Sequence, residues 1–363
     1  MSTSDGLSPT VGPDAPVDGE IVDAGDTRSE EPRDERKRSP FRRVAIGVGA
    51  TLLVVLSMVV AMALWPASSS GLSAQPDATT SLDEAIARFD ELTVGEDGVV
   101  WEACESKLLT QGQRTDVVVV LFHGLTNCPE QFDEFAAELH AEGANVVVLR
   151  APHHGRANAS GDAIGSVSNA GALTVRELRD FADDSIDVAT GLGEEVRVLG
   201  LSMGGVLAAW TAQERDDVDR VVVVAPAMGI PGVPSMLTTA FINLFDKVPN
   251  VDLPGESKLD HAYPGGTSKG LVATFLLGRA TDASARNRGP AAGEVVVVVN
   301  PDDNQVDPDT AKAFAARWAE HDGRVTMVEL PFTGLPHDVV DPDQPSGNTT
   351  EVYPLLQMLL DGG

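Results

Sequence analysis

Positive charge and cysteine are the scarcest features of this chain of 363 residues. It holds 26 Lys and Arg against 55 Asp and Glu, which gives a formal net charge of −29 at pH 7. Nucleic acid needs a basic protein surface to neutralise its phosphates, so this balance excludes nucleic acid as a partner. An acidic surface of this kind is typical of a domain that faces water.

Only two cysteines occur, Cys104 and Cys128, and both follow an N-terminal apolar run. Neither stands where it could carry a lipoprotein anchor. In an oxidising compartment we expect the pair to form a disulfide, which would stabilise the fold by about 3 kcal/mol. The alternative is two buried free thiols.

The first 64 residues divide into a polar tail and an apolar run. Residues 1–43 are rich in Asp, Glu, Pro, Gly and Ser, which predicts disorder. Residues 44–64 carry no charge and, at about 1.5 Å per residue, reach about 30 Å, which is enough to cross a bilayer. Lys and Arg cluster just before this run and are then absent until Arg88. The asymmetry predicts a cytoplasmic N-terminus and an extracytoplasmic remainder.

A cleaved signal peptide is the alternative interpretation of the apolar run. Such a peptide has a short basic lead, an apolar core of about 7–15 residues and a small-residue cleavage site. Here the lead and the core are both longer, and only a poor site occurs at residues 61–63. We therefore predict an uncleaved, single-pass anchor in the cell membrane, followed by a flexible stalk over residues 65–80.

Apolar runs and amphipathic stretches alternate from residue 116 onward. The apolar runs predict strands covered on both faces, at residues 116–122, 145–150, 195–200, 218–224, 294–299 and 324–330. The amphipathic stretches predict helices at residues 129–141, 174–190, 309–321 and 349–360. This alternation indicates an α/β fold with a mostly parallel, doubly wound sheet. Residues 226–290 contain no strand-like run but two apolar helical stretches, which predicts a helical lid insertion in a domain of residues 81–363.

Ser202 lies in a G-x-S-x-G pattern, residues 200–204, between a predicted strand and a helical stretch. This context is that of a nucleophile elbow, in which a strained turn holds the serine hydroxyl above the sheet. We therefore predict that Ser202 is a catalytic nucleophile. The alternative is a tight turn whose serine only caps the helix that follows.

A serine nucleophile needs a base to accept its proton and an acid to orient that base. His337 follows the last predicted strand, where such a base is expected, although a solvated loop histidine is the alternative. Three aspartates compete for the role of the acid in the loop after the strand at residues 294–299. We choose Asp303 because Val306 follows it in a D-x-x-V arrangement, whereas Asp302 and Asp307 are expected to form turns or caps.

The stretch His123-Gly124-Leu125 ends the first strong strand. A glycine at this point lets the backbone turn, so the N–H groups of Leu125 and Met203 are expected to form the oxyanion hole. The adjacent His153 and His154 do not indicate a metal site, since neighbouring side chains do not converge and no third ligand is nearby.

The order of these motifs, HG at 123–124, GLSMG at 200–204, DDNQV at 302–306 and PHD at 336–338, resembles that of the α/β-hydrolase superfamily. More narrowly, the chain is similar to bacterial carboxylesterases and to hydrolases like monoacylglycerol lipase or serine aminopeptidase S33. The resemblance covers residues 115–362 and implies a Ser–Asp–His order, a lid, and neither cofactor nor metal. The doubled acid position at residues 302–303 and the N-terminal anchor depart from the family pattern.

We expect the chain to hydrolyse a small-molecule or lipid carboxylic ester through an acyl-enzyme. Two alternatives remain open from the residues alone. An extracytoplasmic acyltransferase would use the same triad but pass the acyl group to an alcohol, and a membrane-anchored scaffold would use no triad. The sequence also leaves the oligomeric state and the physiological ester open.

Overall fold

The computed structural model describes residues 40–161, 163–321 and 323–363, so most of the predicted polar tail lies outside the described residues. The described residues divide into two units, with the boundary between Leu53 and Val54. The apolar run is helical in both, and helix α1 extends over Pro40–Leu64. Within the described residues, Val44–Leu64 is the one helical stretch long and apolar enough to cross a membrane.

The remaining elements belong to the second unit. The helices are α2 (Leu82–Thr93), α3 (Asp133–Ala141), α4 (Val175–Thr190), α5 (Met203–Glu214), α6 (Ser235–Phe245), α7 (Ser268–Ala285), α8 (Pro308–Ala319) and α9 (Thr349–Asp361). The strands are β1 (Lys107–Leu109), β2 (Thr115–Phe122), β3 (Asn145–Val148), β4 (Gly193–Leu201), β5 (Arg220–Val224), β6 (Asp252–Pro254), β7 (Gly265–Thr267), β8 (Glu294–Val299) and β9 (Val325–Glu329).

Seven strands form one sheet in the order β1-β3-β2-β4-β5-β8-β9, and only β1 pairs antiparallel to its neighbour. This sheet confirms the prediction of a mostly parallel α/β fold. The three-residue strands β1, β6 and β7 were not predicted, because so short a segment shows no periodicity. The last two pair as a small antiparallel hairpin inside the insertion, where no strand was expected.

Valine-rich strands build the centre of the sheet because helices cover both of its faces. Their register aligns the carboxyl ends, so that Phe122 pairs with Gly200 and Leu201 pairs with Val224. The loops after β2, β4 and β8 therefore leave the sheet at one edge. Ligands of doubly wound sheets bind at this edge.

The helices form two layers. The crossover from β2 to β3 runs opposite to those from β3 to β4, β4 to β5 and β8 to β9 along the sheet. Because such crossovers are right-handed, α3 covers one face, and α4, α5 and α8 cover the other. The rings of Phe135 and Tyr353 lie 4.8 Å apart, which places α9 in the layer of α3.

Residues 65–80 pack on the domain instead of forming the flexible stalk expected from their composition. The indole Nε1 of Trp210 donates to the carbonyl of Leu72 at 2.7 Å, and the amide of Gln75 donates to Asp183 Oδ2 at 2.8 Å. Leu72 is itself buried. Backbone groups of a Ser- and Pro-rich segment thus find partners on α4 and α5, which composition alone does not reveal.

Candidate active site

Ser202 occupies the turn between β4 and α5 with φ 63° and ψ −113°. This positive φ is the strained conformation of an elbow. A Cβ on Gly200 would lie 2.0 Å from the carbonyl oxygen of Gly204, and one on Gly204 would lie 1.8 Å from that of Phe122, so only glycine fits at both positions. The Ser202 side chain makes no capping hydrogen bond to α5, which argues against the alternative of a helix cap.

Asp303 and His337 meet at the same edge of the sheet. His337 Nδ1 lies 2.6 Å from Asp303 Oδ2, and both residues are buried. The other carboxylate oxygen, Oδ1, accepts from the amides of Gln305 at 2.8 Å and Val306 at 3.0 Å. The loop thus holds the carboxylate in place, as the D-x-x-V arrangement predicted. With Nδ1 engaged, the imidazole has Nε2 left for another partner.

The other two aspartates of this loop have different partners. Asp302 Oδ2 accepts from the amide of Gly334 at 2.9 Å. Asp307 caps α8 by accepting from the amide of Asp309 at 3.1 Å. Of the three candidates, the structure therefore brings only Asp303 to His337.

A cavity of about 710 Å³ opens beside Ser202 and His337. Its wall contains both apolar and polar residues, and the insertion supplies many of each. Apolar lining residues are Leu125, Ile230, Leu271 and Phe275, and polar ones are Asn127, Gln131, Glu256 and Lys258. Such a lining suits a ligand with an apolar part and a polar part.

The loop that carries Leu125 is bonded along its length. His123 Nδ1 contacts the Gly124 carbonyl at 2.8 Å, while its Nε2 accepts from the Ala151 amide at 3.0 Å. Burial lowers the pKa of His123 to about 3, so the ring is neutral and Nδ1 is the donor. His154 Nε2 contacts the carbonyl of Leu125 at 2.8 Å. Both histidines thus shape the loop, as expected of structural residues.

The two amides predicted to form an oxyanion hole are available. Among the backbone hydrogen bonds of the described loops and turns, none is donated by the N–H group of Leu125 or Met203. Leu125 and Ser202 both line the cavity, and Met203 directly follows Ser202. Free N–H donors near a serine on a strained turn are what the predicted oxyanion hole requires.

Gln131 is a site residue that the sequence analysis missed. Its Oε1 accepts from the amide of Gly124 at 2.8 Å, and its Nε2 donates to Asp338 Oδ2 at 2.6 Å. Because Asp338 follows His337, this buried amide joins the Leu125 loop to the histidine loop. A signal was present, since Gln131 lies four residues before Phe135 and so interrupts an apolar stripe of the predicted helix.

Behind His337 lies a second buried ionic group, formed by Asp338, Asp341 and His261. Burial and the neighbouring charge of Asp341 raise the pKa of Asp338. His261 Nε2 lies 2.6 Å from Asp341 Oδ2. Burial opposes the imidazolium, but the bond and charge of Asp341 outweigh it and raise the pKa of His261. His261 belongs to the insertion, so this pair ties the insertion to the histidine loop.

Among the described residues, one grouping has the composition of a metal site. His261, Asp341 and Asp343 place ligand atoms within 4.8 Å of one another. The direct contact of 2.6 Å between His261 Nε2 and Asp341 Oδ2 accounts for the closeness of these two residues without an ion. This group is therefore explained as an ion pair.

Cys104 and Cys128 form a disulfide in the structure, with their Cα atoms 5.2 Å apart. Cys128 precedes the turn of 3-10 helix that carries Gln131. The bridge therefore fastens the segment before β1 to the loop beside the cavity.

Comparison with known proteins agrees with this architecture. The sequence model of the serine aminopeptidase S33 family of hydrolases matches residues 113–269 of this chain. No curated protein matches the chain. Among solved structures, the chain is similar to one reported for the metagenome-derived lipolytic enzymes LipS and LipT, with 15% identity and a TM-score of 0.55 over 73% of this chain and 100% of that one.

Two further structures are similar at lower TM-scores. A monoacylglycerol lipase of Paleococcus ferrophilus has 16% identity and a TM-score of 0.49 over 71% of this chain and 98% of its own. The ferulic acid complex of Est1E from Butyrivibrio proteoclasticus has 15% identity and a TM-score of 0.46 over 71% and 96%. The chain has the α/β-hydrolase fold, and its residues 113–269 match the serine aminopeptidase S33 family.

Proposed function

We propose that the chain is a serine hydrolase that cleaves carboxylic esters. The observation that carries this proposal is the contact of 2.6 Å between Asp303 and His337, beside the cavity that Ser202 lines from its strained turn. The pairing matters because an acid oriented on a histidine base is what makes a serine hydroxyl nucleophilic.

In the proposed reaction, Ser202 Oγ attacks the ester carbonyl carbon while His337 Nε2 accepts its proton. The carbonyl oxygen becomes an oxyanion that accepts from the N–H groups of Leu125 and Met203, each worth about 3 kcal/mol to the transition state. When the tetrahedral intermediate collapses, the bond to the alcohol breaks and His337 returns the proton to the leaving oxygen. Water then attacks the acyl carbon while His337 Nε2 accepts its proton, the bond to Ser202 Oγ breaks, and the proton passes to Oγ as the carboxylic acid leaves.

We further propose that α1 anchors the catalytic domain on the outer side of the cell membrane. Two features support this location. The exposed apolar stretch Val44–Leu64 is long enough to cross a bilayer, and the Cys104–Cys128 disulfide is typical of an oxidising compartment.

The test is covalent labelling and turnover of the purified full chain. We expect a fluorophosphonate probe to label it and short p-nitrophenyl esters to be hydrolysed, and we expect Ser202→Ala to abolish both. Ser160→Ala, in an exposed loop, is the matched control and should behave as the wild type. Retained turnover in a folded Ser202→Ala protein would overturn the assignment.

Product analysis separates this function from acyl transfer. Both reactions share the acyl-enzyme, and an acyltransferase would yield a new ester when an alcohol acceptor is supplied. A catalytically inert scaffold would show neither labelling nor product.

A further inference from the structure

Helix α6 of the insertion holds the chain at the point where α1 ends. Asn243 is 4% exposed, and its Nδ2 donates to the carbonyl of Ala63 at 2.9 Å while its Oδ1 accepts from the amide of Ala67 at 3.0 Å. One turn further along, Lys247 Nζ donates to the carbonyl of Trp65 at 2.9 Å. These three hydrogen bonds attach residues 63–67, at the end of the apolar run, to the C-terminal end of α6.

The outward side of α6 is apolar and uncharged. No Asp, Glu, Lys or Arg occurs between Ser235 and Phe245. Ile242 and Asn243 are buried, whereas Met236 is 74% and Leu237 54% exposed. A helix that presents adjacent large apolar side chains and no charge is unsuited to water and suited to a lipid interface.

The position of α6 relative to a bilayer follows from its bonds. If α1 crosses the membrane, as proposed above, Ala63 lies at the outer edge of the hydrocarbon and Trp65 lies among the headgroups, where Trp is enriched. A helix whose Asn243 is bonded to that carbonyl must lie at the same depth. At about 1.5 Å per residue, Met236 lies about 10 Å along α6 from Asn243, within one short helix of that depth.

We infer that α6 is a membrane-contact surface of the catalytic domain, with Met236 and Leu237 embedded among the phospholipids of the outer leaflet. The partner is the bilayer itself, and the inference rests on the proposed anchor but not on the proposed chemistry. The surface is also close to the cavity. Ile242 packs in one apolar cluster with Phe275, and Phe275 lines the cavity. One layer of side chains therefore separates the lipid-facing helix from the candidate active site.

The experiment places a fluorescent label on α6 through an introduced cysteine. Since both are in the disulfide, a cysteine introduced by Met236→Cys is the single free thiol of the chain. The full-length variant is labelled there with an environment-sensitive fluorophore and reconstituted into phosphatidylcholine vesicles. We expect a blue-shifted emission that loses intensity when the vesicles contain lipids brominated on their acyl chains.

Met358→Cys is the matched control, because Met358 is also an exposed methionine on a helix, but that helix is α9, in the layer of α3 and outside the insertion. We expect its label to report water and to be unaffected by bromine. Equal, water-like emission from the labels at positions 236 and 358 would overturn the inference. It would also be overturned if the intact mass showed that the purified protein lacks residues 1–64. Either result leaves ester hydrolysis to be judged separately, since the turnover assay on Ser202→Ala does not depend on vesicles.

Discussion

Two regions border the same cavity and are held by different forces. The loop of residues 123–128 is bonded by buried polar groups, with His123, Gln131 and His154 each contacting its backbone. Around the cavity the insertion of residues 226–290 packs through apolar side chains such as Ile242 and Phe275, and polar contacts such as His261–Asp341 fasten it elsewhere. Hydrogen bonds have directions and apolar contacts do not, so the geometry of the loop is the more narrowly defined where the two regions border the cavity.

This difference assigns different tasks to the two regions. Stabilising an oxyanion requires donors placed within a few tenths of an ångström, which suits a loop fixed by directional bonds. Accommodating the apolar part of a substrate requires volume and apolar surface, which suits the insertion. We therefore expect substitutions around the loop to lower kcat and substitutions in the insertion to alter KM.

The largest effect is expected for the acid. Asp303→Asn should lower kcat/KM for p-nitrophenyl esters about ten-thousand-fold, because an amide no longer holds the imidazole in the productive tautomer. Asp302→Asn is the matched control, since Asp302 bonds Gly334 and not His337. A larger loss for the Asp302 variant would assign the acid differently.

The next effect tests the bond between the two loops. Gln131→Leu should lower kcat about 10- to 100-fold with KM nearly unchanged, which is less than the loss of a whole oxyanion donor. Gln131→Glu should place a carboxylate against Asp338 and so regain activity as the pH falls. Glu130→Gln, at the neighbouring half-buried position whose carboxylate pairs with Lys107, should keep the wild-type pH profile. If Gln131→Glu and Glu130→Gln had the same pH profile, Gln131 would have only a packing role.

A smaller effect concerns pH and stability at the fixed loop. The pKa of His123 is lowered to about 3 in the folded chain. As the pH falls below 6.5, the imidazole therefore binds a proton in the unfolded chain but stays neutral in the folded chain. The neutral His123 ring contributes fully to the free energy of unfolding above pH 6.5. Between that pH and the folded-state pKa, the contribution falls by about 1.4 kcal/mol for each pH unit. Urea unfolding at several pH values should show a shallower pH dependence for His123→Asn than for His321→Asn, at an exposed position.

The smallest effect is expected in the insertion. Ile230→Ala should raise KM for long-chain esters about five-fold, through the loss of roughly 1 kcal/mol of apolar contact, and leave short-chain esters unaffected. Leu237→Ala, which changes an α6 residue outside the cavity lining, is the control in detergent solution. A uniform loss of kcat for every chain length would contradict the division of tasks between loop and insertion.

Local requirements explain what could be predicted from the residues. The strand at residues 294–299 was placed at its observed bounds because five successive valines fit only a buried strand. The elbow was recognisable because Gly200 and Gly204 meet neighbouring backbone too closely for any side chain. The choice of Asp303 among three aspartates followed from the loop that Val306 closes, and the structure brings that residue to His337.

Pairings between distant segments could not be predicted in this way. Gln131 and Asp338 are 207 positions apart, and Asn243 and Ala63 are 180 apart. The packing of residues 65–80 against α4 and α5 is of the same kind.

The sequence by itself thus determined the six longer strands, the strained serine turn and the residue types offered to the cavity, because each depends on neighbours a few positions away. Only the tertiary structure decided which buried polar groups meet across the sheet edge and which helix receives the end of the apolar run. Those contacts depend on how the sheet brings remote loops together, and no local pattern records that geometry.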